Sequence, residues 1–185
     1  MSSEPPIPQP NPPRGQVAYA GRRVTVEQIQ IDTEAGPVAR DLILHPGSAV
    51  ILPITDAGEI VLIRNQRYTL GGPLLELPAG TRDPGEDPRL CAARELTEET
   101  GYAAADLHLL AAFMPSPGAC TEVMHAWLAT GLTPGAQRLD PGESIEVVHF
   151  TPAEIAHMMR QGELHDGKTL ATLGLYFARV GFPAA

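Results

Sequence analysis

The sequence is poor in cysteine and has no long hydrophobic run. Its two cysteines, Cys91 and Cys120, are too far apart to form a C-x-x-C pair. No secretory hydrophobic segment is recognisable, and no apolar run approaches the length of about 18 residues that spans a bilayer. We therefore expect a soluble protein that makes no contact with membranes and resides in a reducing cytoplasm.

Cationic residues are scarce as well. The 13 lysines and arginines include a single lysine, Lys168, and 22 acidic residues bring the net charge to −9. This charge argues against a nucleic-acid partner, because phosphate binding needs a face rich in lysine and arginine. The six histidines show no H-x-x-x-H or H-E-x-x-H grouping, so the sequence does not indicate a zinc site.

The chain begins with a proline-rich segment and continues with strand patterns. Residues 1–15 have almost nothing to bury and are predicted to form a disordered or polyproline arm. Residues 16–45 contain two strand-like runs, "VTVEQIQID" and "VARDLILHP", and residues 46–185 form the main domain. Within that domain "SAVILPIT" and "EIVLIR" flank the turn "DAG", which predicts a hairpin. Further strands are predicted at 74–78, 107–114, 122–132 and 145–150.

Three helices are predicted from the residues at their ends. Asp87 as N-cap and Gly101 as C′ glycine bound a helix over about 88–100. The letters "TPAE" from Thr151 form a capping box, and a last helix covers about 168–180. Strands before and after a central helix, followed by two helices, predict an α/β fold with a mixed sheet covered by helices.

The first of these helices carries clustered carboxylates. Glu95, Glu98 and Glu99 fall within an arc of about 100°, and like charges at this spacing cost about 0.2–0.5 kcal/mol per pair. They could simply form a solvated helix face. Rigidly held carboxylates are also what a hard divalent cation such as Mg²⁺ needs, because it takes oxygen ligands. The stripe expected to pack on the sheet consists of Leu90, Ala93 and Leu96.

The spacing around this cluster resembles the Nudix box, G-x5-E-x7-R-E-U-x-E-E-x-G-U, in which U is bulky and apolar. Gly80 and Glu86 are followed by "RELTEETGY", which begins at Arg94 and ends at Tyr102, a mild variant of the last position. The resemblance to Nudix hydrolases implies a three-layer α/β/α sandwich. It also implies hydrolysis of a nucleoside diphosphate linked to another group, with Mg²⁺ or Mn²⁺ held against the diphosphate.

The resemblance assigns roles within the box. It implies that Glu95 and Glu99 are the main metal ligands and that Glu98 is a ligand or holds a bridging water. These glutamates are the implied catalytic residues of the box, since bound metals activate the attacking water. The resemblance also implies that Glu86 and Arg94 orient the loop and the helix. The structural positions of the box are Gly80, Glu86, Arg94 and Gly101.

The flanks of the box resemble the ADP-ribose pyrophosphatase branch of the family, which has an "RQ-aromatic-R … E-apolar-P-A-G" run before the box. Arg64, Arg67, Glu76 and "PAG" match this run, whereas the letters "NQ" between the arginines depart from it. The resemblance makes Arg67 a diphosphate contact and the backbone carbonyl of Ala79 a metal ligand. Glu76 is expected to brace the loop, with an ordinary charge at a strand end as the alternative. Pro117, in the turn "PSPG", is a further mark of this branch.

Two further features follow from the branch. Glu143, in the loop before "IEVVHF", matches a glutamate that acts as metal ligand and as acid/base for the attacking water. The alternative is that Glu143 is a residue without a function on a flexible loop. Relatives in this branch exchange N-terminal strands between two subunits, which implies a homodimer. Arg40 and Asp41 could then contact adenine across the dimer, or they could be edge-strand charges that deter mis-pairing.

Taken together, the resemblance implies a Mg²⁺-dependent enzyme that cleaves ADP-ribose to AMP and ribose 5-phosphate. One alternative is a Nudix hydrolase of another nucleoside diphosphate sugar, such as GDP-mannose. A second alternative is a non-catalytic module that binds ADP-ribose as a sensor. Such modules typically have an eroded glutamate cluster or an added DNA-binding domain, and the cluster here is complete.

Overall fold

The computed structural model describes residues 5–21 and 24–183, which form three β-sheets and three α-helices. The strands are β1 (Gln16–Ala20), β2 (Thr25–Thr33), β3 (Gly36–Leu44), β4 (Ser48–Pro53), β5 (Ile60–Arg67), β6 (Gly72–Glu76), β7 (Ala79–Thr81), β8 (Ala103–Phe113), β9 (Met124–Thr133) and β10 (Ile145–Phe150). The helices are α1 (Pro88–Thr100), α2 (Pro152–Gln161) and α3 (Gly167–Val180). None of these helices is long and apolar enough to cross a membrane.

The central sheet has the strand order β7–β4–β9–β8, in which β4 and β9 run parallel and the other neighbours run antiparallel. All six residues of β4 are buried, and their side chains alternate between two apolar clusters. Val50 packs in the same cluster as Phe177 of α3, whereas Ile51 packs in the same cluster as Leu96 of α1. Helices therefore cover both faces of this sheet, which confirms the predicted α/β/α sandwich with a mixed sheet.

The predicted hairpin around "DAG" is confirmed at its turn but does not continue along the strands. A turn does form there, since the N–H of Gly58 donates to the carbonyl of Thr55 over 2.8 Å. The strands then diverge: β4 joins the central sheet, and β5 joins a second sheet of order β10–β5–β6. Next to the turn, the two runs are joined by the antiparallel bridge between Ile54 and Ile60 and by hydrogen bonds between Thr55 and Glu59. β4 is buried throughout, and the first four residues of β5 are apolar and buried, so these local patterns carry no information about which distant strand each one pairs with.

The N-terminal strands form a separate antiparallel sheet of order β1–β2–β3. Strand β1 was not among the predicted runs, because its sequence "QVAYA" is only five residues long and all five residues are exposed. Residues 5–15 have no regular secondary structure, and the N–H of Gly15 donates to the carboxylate of Glu27 at 3.0 Å. Residues 1–4 of the predicted arm lie outside the described residues, and its boundary at residue 15 stays a prediction.

The predicted helix ends are confirmed. Asp87 accepts a hydrogen bond from the N–H of Arg89 at 2.8 Å, and Gly101 ends α1 with a left-handed φ of 77°. Thr151 and Glu154 form the reciprocal capping box of α2. The predicted packing stripe of α1 needs a correction, because Leu90 is 65% exposed and Ala93 is exposed as well. The buried positions of α1 are Cys91, Ala92, Leu96, Glu99 and Thr100.

Candidate active site

A cleft of about 870 Å³ lies where the central sheet, the second sheet and the N-terminal sheet meet. Its walls come from the loop of the box, helix α1, the end of β5, the loop before β10 and the start of α3. Of the predicted site residues, the cleft brings together Arg67, Ala79, Gly80, Arg94, Glu95, Glu98, Glu99 and Glu143.

Glu99 and Glu95 are held against the backbone of strand β7. Glu99 is 4% exposed, and one of its carboxylate oxygens accepts the N–H of Ala79 at 2.8 Å. The carboxylate of Glu95 lies directly above Gly80, where a Cβ atom would be only 1.9 Å from the carboxylate carbon. Only glycine therefore leaves room for Glu95 in its present position, which gives a physical reason for the first glycine of the box.

Burial makes both carboxylates costly to ionise. It raises the pKa of Glu99 to about 8, with repulsion from Glu95 and Glu143 as further causes. Burial likewise raises the pKa of Glu95 to about 7, although Arg94 acts in the opposite direction. The negative charge of this pair is thus only partly compensated by the protein, and a bound cation would complete the compensation.

Arg94 ties the glutamates of the box together. Its guanidinium donates to Glu86 at 2.9 and 3.0 Å, to Glu95 at 2.6 Å and to Glu98 at 3.0 Å. The hydrogen bonds from Arg94 to Glu86 lower the pKa of Glu86 to about 2. Since Glu86 also accepts the N–H of Asp83 at 2.9 Å, this pair joins the loop that follows β7 to helix α1.

The donor set fits a hard divalent cation. Every candidate ligand is an oxygen, and all of them line one wall of the cleft. Among residues 5–21 and 24–183, no group of three or more His, Cys, Asp or Glu side chains is already gathered as metal ligands. The carboxylates of Glu95 and Glu98 instead accept hydrogen bonds from Arg94. Gathering them around one ion requires only rotation of these side chains. The backbone of α1 need not move, because it already places them on the same face.

The cleft also has a cationic wall. Arg67 and Lys168 line it, and both are bonded to Glu76, whose side chain is completely buried. Arg67 donates to the two oxygens of Glu76 at 2.6 and 2.7 Å, and these bonds raise the pKa of Arg67. Glu76 is therefore no ordinary charge at a strand end. It braces the arginine beside it.

The loop between β9 and β10 carries Glu143 to the acidic wall. The side-chain amide of Gln137 donates to the carbonyl of Glu99 at 2.6 Å, and the N–H of Arg138 donates to the carbonyl of Glu98 at 2.9 Å. Two bonds thus anchor the first half of the loop to the last turn of α1. Glu143 lies in the second half, where its carboxylate accepts the N–H of Asp140 at 3.0 Å.

A family model described as "NUDIX domain" matches residues 44–173. The chain belongs to the Nudix family. Three relatives of the Nudix protein are a methanol dehydrogenase activator from Bacillus methanolicus, an ADP-ribose pyrophosphatase from Bacillus subtilis and a GDP-mannose pyrophosphatase from Escherichia coli. They are 33%, 37% and 33% identical over 155, 154 and 138 residues. These matches cover 82%, 82% and 69% of this chain and 84%, 83% and 71% of the relatives.

A solved structure supports the same fold. The crystal structure of an ADP compounds hydrolase superimposes with a TM-score of 0.75 at 26% sequence identity, covering 90% of this chain and 93% of that chain. The Nudix assignment made from the box alone is thereby confirmed, and the α/β sandwich is the fold of the family. The roles of individual residues stay predictions.

Five predicted substrate-binding residues of this Nudix protein do not line the cleft: Glu76, which is buried beside Arg67, and Arg64, Pro117, Arg40 and Asp41. Glu86 and Gly101 of the box do not line it either. Arg64 points away from it on β5 and lies 3.5 Å from a carboxylate oxygen of Glu146. Pro117 is exposed in a turn whose neighbour Ala119 bonds to the end of β3. Arg40 and Asp41 are exposed on β3, away from the cleft within this chain.

Lys168, Asn65 and Gln137 are among the cleft or positioning residues that escaped the sequence analysis. Lys168 and Asn65 line the cleft, and Gln137 anchors its loop. Asn65 is 5% exposed, whereas its neighbour Arg64 on β5 is exposed. Because successive side chains of a strand point to opposite faces, this alternation could have indicated that Asn65 faces inward. No local sequence pattern indicated that Lys168 lines the cleft, because its partner Glu76 lies 92 positions earlier.

Proposed function

We propose that this Nudix protein is a Mg²⁺-dependent pyrophosphohydrolase that cleaves ADP-ribose to AMP and ribose 5-phosphate, with Mn²⁺ as a possible substitute. The observation that carries the proposal is that the cleft combines an acidic wall on α1 with the guanidinium of Arg67. A diphosphate is itself anionic, so it needs positive charge around it. Divalent cations would supply it at the acidic wall, and Arg67 supplies it directly.

The acidic wall would hold the metals through Glu95, Glu98, Glu99 and the carbonyl of Ala79. When bound, such ions polarise phosphoryl oxygens and lower the pKa of a coordinated water. Water then attacks one phosphorus as the bond from that phosphorus to the bridging oxygen breaks. Glu143, on the loop beside Glu99, is the residue proposed to take the proton of the attacking water.

The orientation of the diphosphate depends on Arg67. Glu76 occupies the Nε and Nη2 side of the guanidinium, as the two bonds show. The edge formed by Nη1 and Nη2 is left for phosphate oxygens, which a guanidinium holds in a bidentate manner. This arrangement fixes the direction of the arginine before any substrate binds.

The choice of ADP-ribose is supported by the names of two relatives. The Bacillus subtilis relative, at 37% identity, is an ADP-ribose pyrophosphatase, and so is a Mycobacterium tuberculosis protein at 35% identity. The Escherichia coli relative, which is a GDP-mannose pyrophosphatase, keeps GDP-mannose as the second candidate substrate. Both candidates are nucleoside diphosphate sugars, so the proposed chemistry at the diphosphate is the same.

The test is hydrolysis of a panel of ADP-ribose, GDP-mannose, UDP-glucose and NADH with Mg²⁺ present. The panel is repeated with Glu99→Gln and with Glu163→Gln, a matched change at an exposed residue between α2 and α3. We expect ADP-ribose to lead by tenfold or more, which is about 1.4 kcal/mol of discrimination. The Glu99 variant should lose most of this rate, and the Glu163 variant should keep it.

Other results would change the conclusion. If GDP-mannose leads, the Nudix chemistry stands and the substrate assignment is wrong. If ADP-ribose binds and no substrate is cleaved, the protein is a sensor and the proposed activity is refuted.

We further propose a cytoplasmic homodimer formed through the N-terminal sheet. The two cysteines are free, as in a reducing compartment. Exposed apolar side chains on the N-terminal sheet support the dimer: Val17 is 54%, Tyr19 is 59% and Ile31 is 41% exposed. Light scattering on the purified chain should give twice the monomer mass of 19.7 kDa, and a monomer would refute this proposal.

The same dimer would decide the role of Arg40 and Asp41. Both are exposed on β3 and lie outside the cleft of their own chain. If they contact adenine across the dimer, Arg40→Ala should raise the KM for ADP-ribose. An unchanged KM in a dimeric protein would leave them as edge-strand charges.

A further inference from the structure

Four charged residues form a polarised network beside the cleft. Arg67 is bonded to Glu76, Glu76 to Lys168, and the ammonium of Lys168 lies 3.0 Å from a carboxylate oxygen of Asp166. The two cations line the cleft, whereas neither carboxylate does. The network is neutral as a whole, but it presents its positive side to the substrate.

The donors of Lys168 exceed the partners that it has. An ammonium carries three N–H donors. The structure assigns one contact to Glu76 and one to Asp166, and the side chain keeps 13% of its surface exposed where it lines the cleft. One N–H donor is therefore left for a group inside the cleft.

The fold holds this ammonium rigidly. Lys168 lies in the first turn of α3, where Asp166 is the N-cap and accepts the N–H of Thr169 at 3.0 Å. The hydroxyl of Thr169 in turn accepts the N–H of Leu77 at 2.8 Å, which pins α3 to the link between β6 and β7. The ammonium is thus fixed relative to Arg67 by the backbone on both sides.

Neutralisation of Glu76 does not by itself require Lys168. Arg67 already gives the buried carboxylate a full positive charge and two hydrogen bonds. Asp166 balances the charge of Lys168, but desolvating a second cation beside the same carboxylate still carries a cost, and the third N–H of the ammonium has no partner among these contacts. An anionic ligand in the cleft would use both cations.

We propose that Lys168 is a second phosphate-binding residue, which donates its remaining N–H to an oxygen of the substrate's diphosphate on the same wall as Arg67. The inference rests on the proposed function and adds to it a contact from the C-terminal helix. A charge-assisted hydrogen bond of this kind contributes roughly ten- to hundredfold to affinity.

The first experiment compares Lys168→Met, Lys168→Arg and the control Arg160→Met, which removes an exposed cation from the last turn of α2. Lys168→Met should raise the KM for ADP-ribose about ten- to hundredfold with a smaller change in kcat, because the contact is made in the ground state and in the transition state. Lys168→Arg should recover most of this loss, and Arg160→Met should leave KM unchanged.

Inhibition by the products separates phosphate contact from general damage. Lys168→Met should weaken competitive inhibition by AMP or by ribose 5-phosphate tenfold or more, while inhibition by uncharged adenosine stays the same. Equal losses for AMP and adenosine, or no loss for either phosphate, would overturn the proposal. If the wild type cleaves no nucleoside diphosphate sugar at all, it is the proposed function that fails.

A measurement on the unaltered protein covers the case in which the variants do not fold. Lys168 is the only lysine of the chain, so protein labelled with ¹³C-lysine gives a single side-chain Cε resonance. Saturating AMP or ribose 5-phosphate should shift this resonance, and adenosine should not. If neither phosphate shifts it in a protein that hydrolyses ADP-ribose, Lys168 does not contact the phosphates.

Discussion

Replacing Gly80 by alanine should strongly lower activity without disrupting the fold. A Cβ at this position would lie 1.9–2.2 Å from the three carboxylate atoms of Glu95, whereas ordinary contacts begin at 3.4 Å. The carboxylate would therefore have to retreat by more than about 1 Å, and a misplacement of this size costs about 10²-fold in rate. This loss equals about 2.7 kcal/mol of transition-state stabilisation.

The fold should tolerate the change for two reasons. The obstructing atoms are the end of a flexible side chain, and Gly80 has no positive φ. An alanine at a compatible backbone position even stabilises by about 0.4–1 kcal/mol through the unfolded state. We therefore expect kcat/KM for ADP-ribose to fall about a hundredfold while the thermal midpoint stays within a few degrees of the wild type.

The matched control is Gly118→Ala, because a Cβ there meets nothing within 4 Å and the residue lies outside the cleft. It should keep wild-type kinetics. A Gly80→Ala enzyme within threefold of the wild type would show that the position of Glu95 in the structure is not the one that catalysis uses, and the argument would fail.

Three further changes test the box and its surroundings. Glu86→Gln should lower the free energy of unfolding by about 1–3 kcal/mol in urea titrations at pH 7. Since the pKa of Glu86 is lowered to about 2, its stabilisation is present above the ordinary value of 4.5 and is lost as the pH falls toward 2, so the difference should vanish in acid. Raised pKa values of about 7 and 8 for Glu95 and Glu99 mean that the metal-free protein loses stability as the pH rises from 4.5 through 8. Mg²⁺ affinity measured by calorimetry should therefore increase as the pH rises through the pKa values of Glu95 and Glu99, about 7 and 8. An affinity that does not change with pH would contradict the assigned burial of these two carboxylates. Thr151→Ala should cost about 1 kcal/mol by loss of the capping box, with no change in kcat/KM.

The helix of the box and the clustering of its carboxylates were predictable because they are encoded at short range. Residues three and four positions apart share a helix face, so the spacing of Glu95, Glu98 and Glu99 defines a single acidic surface. Asp87 and Gly101 mark the ends of this helix by requirements of the backbone alone. The same spacing identifies the family, and the comparisons confirm it.

The strand partners and the cationic wall were decided by the tertiary structure. The apolar patterns of β4 and β5 predict burial, but they do not say that the two strands enter different sheets. Glu76 and Lys168 lie 92 positions apart, and only the docking of α3 against the link between β6 and β7 brings them together. Burial of Glu99 to 4% exposure likewise depends on strand β7 passing beside α1. Local spacing determines which side chains share a face, whereas contacts between distant segments depend on how the elements pack. The sequence alone therefore determined the acidic half of this site, and the packing of the three sheets and α3 decided the other half.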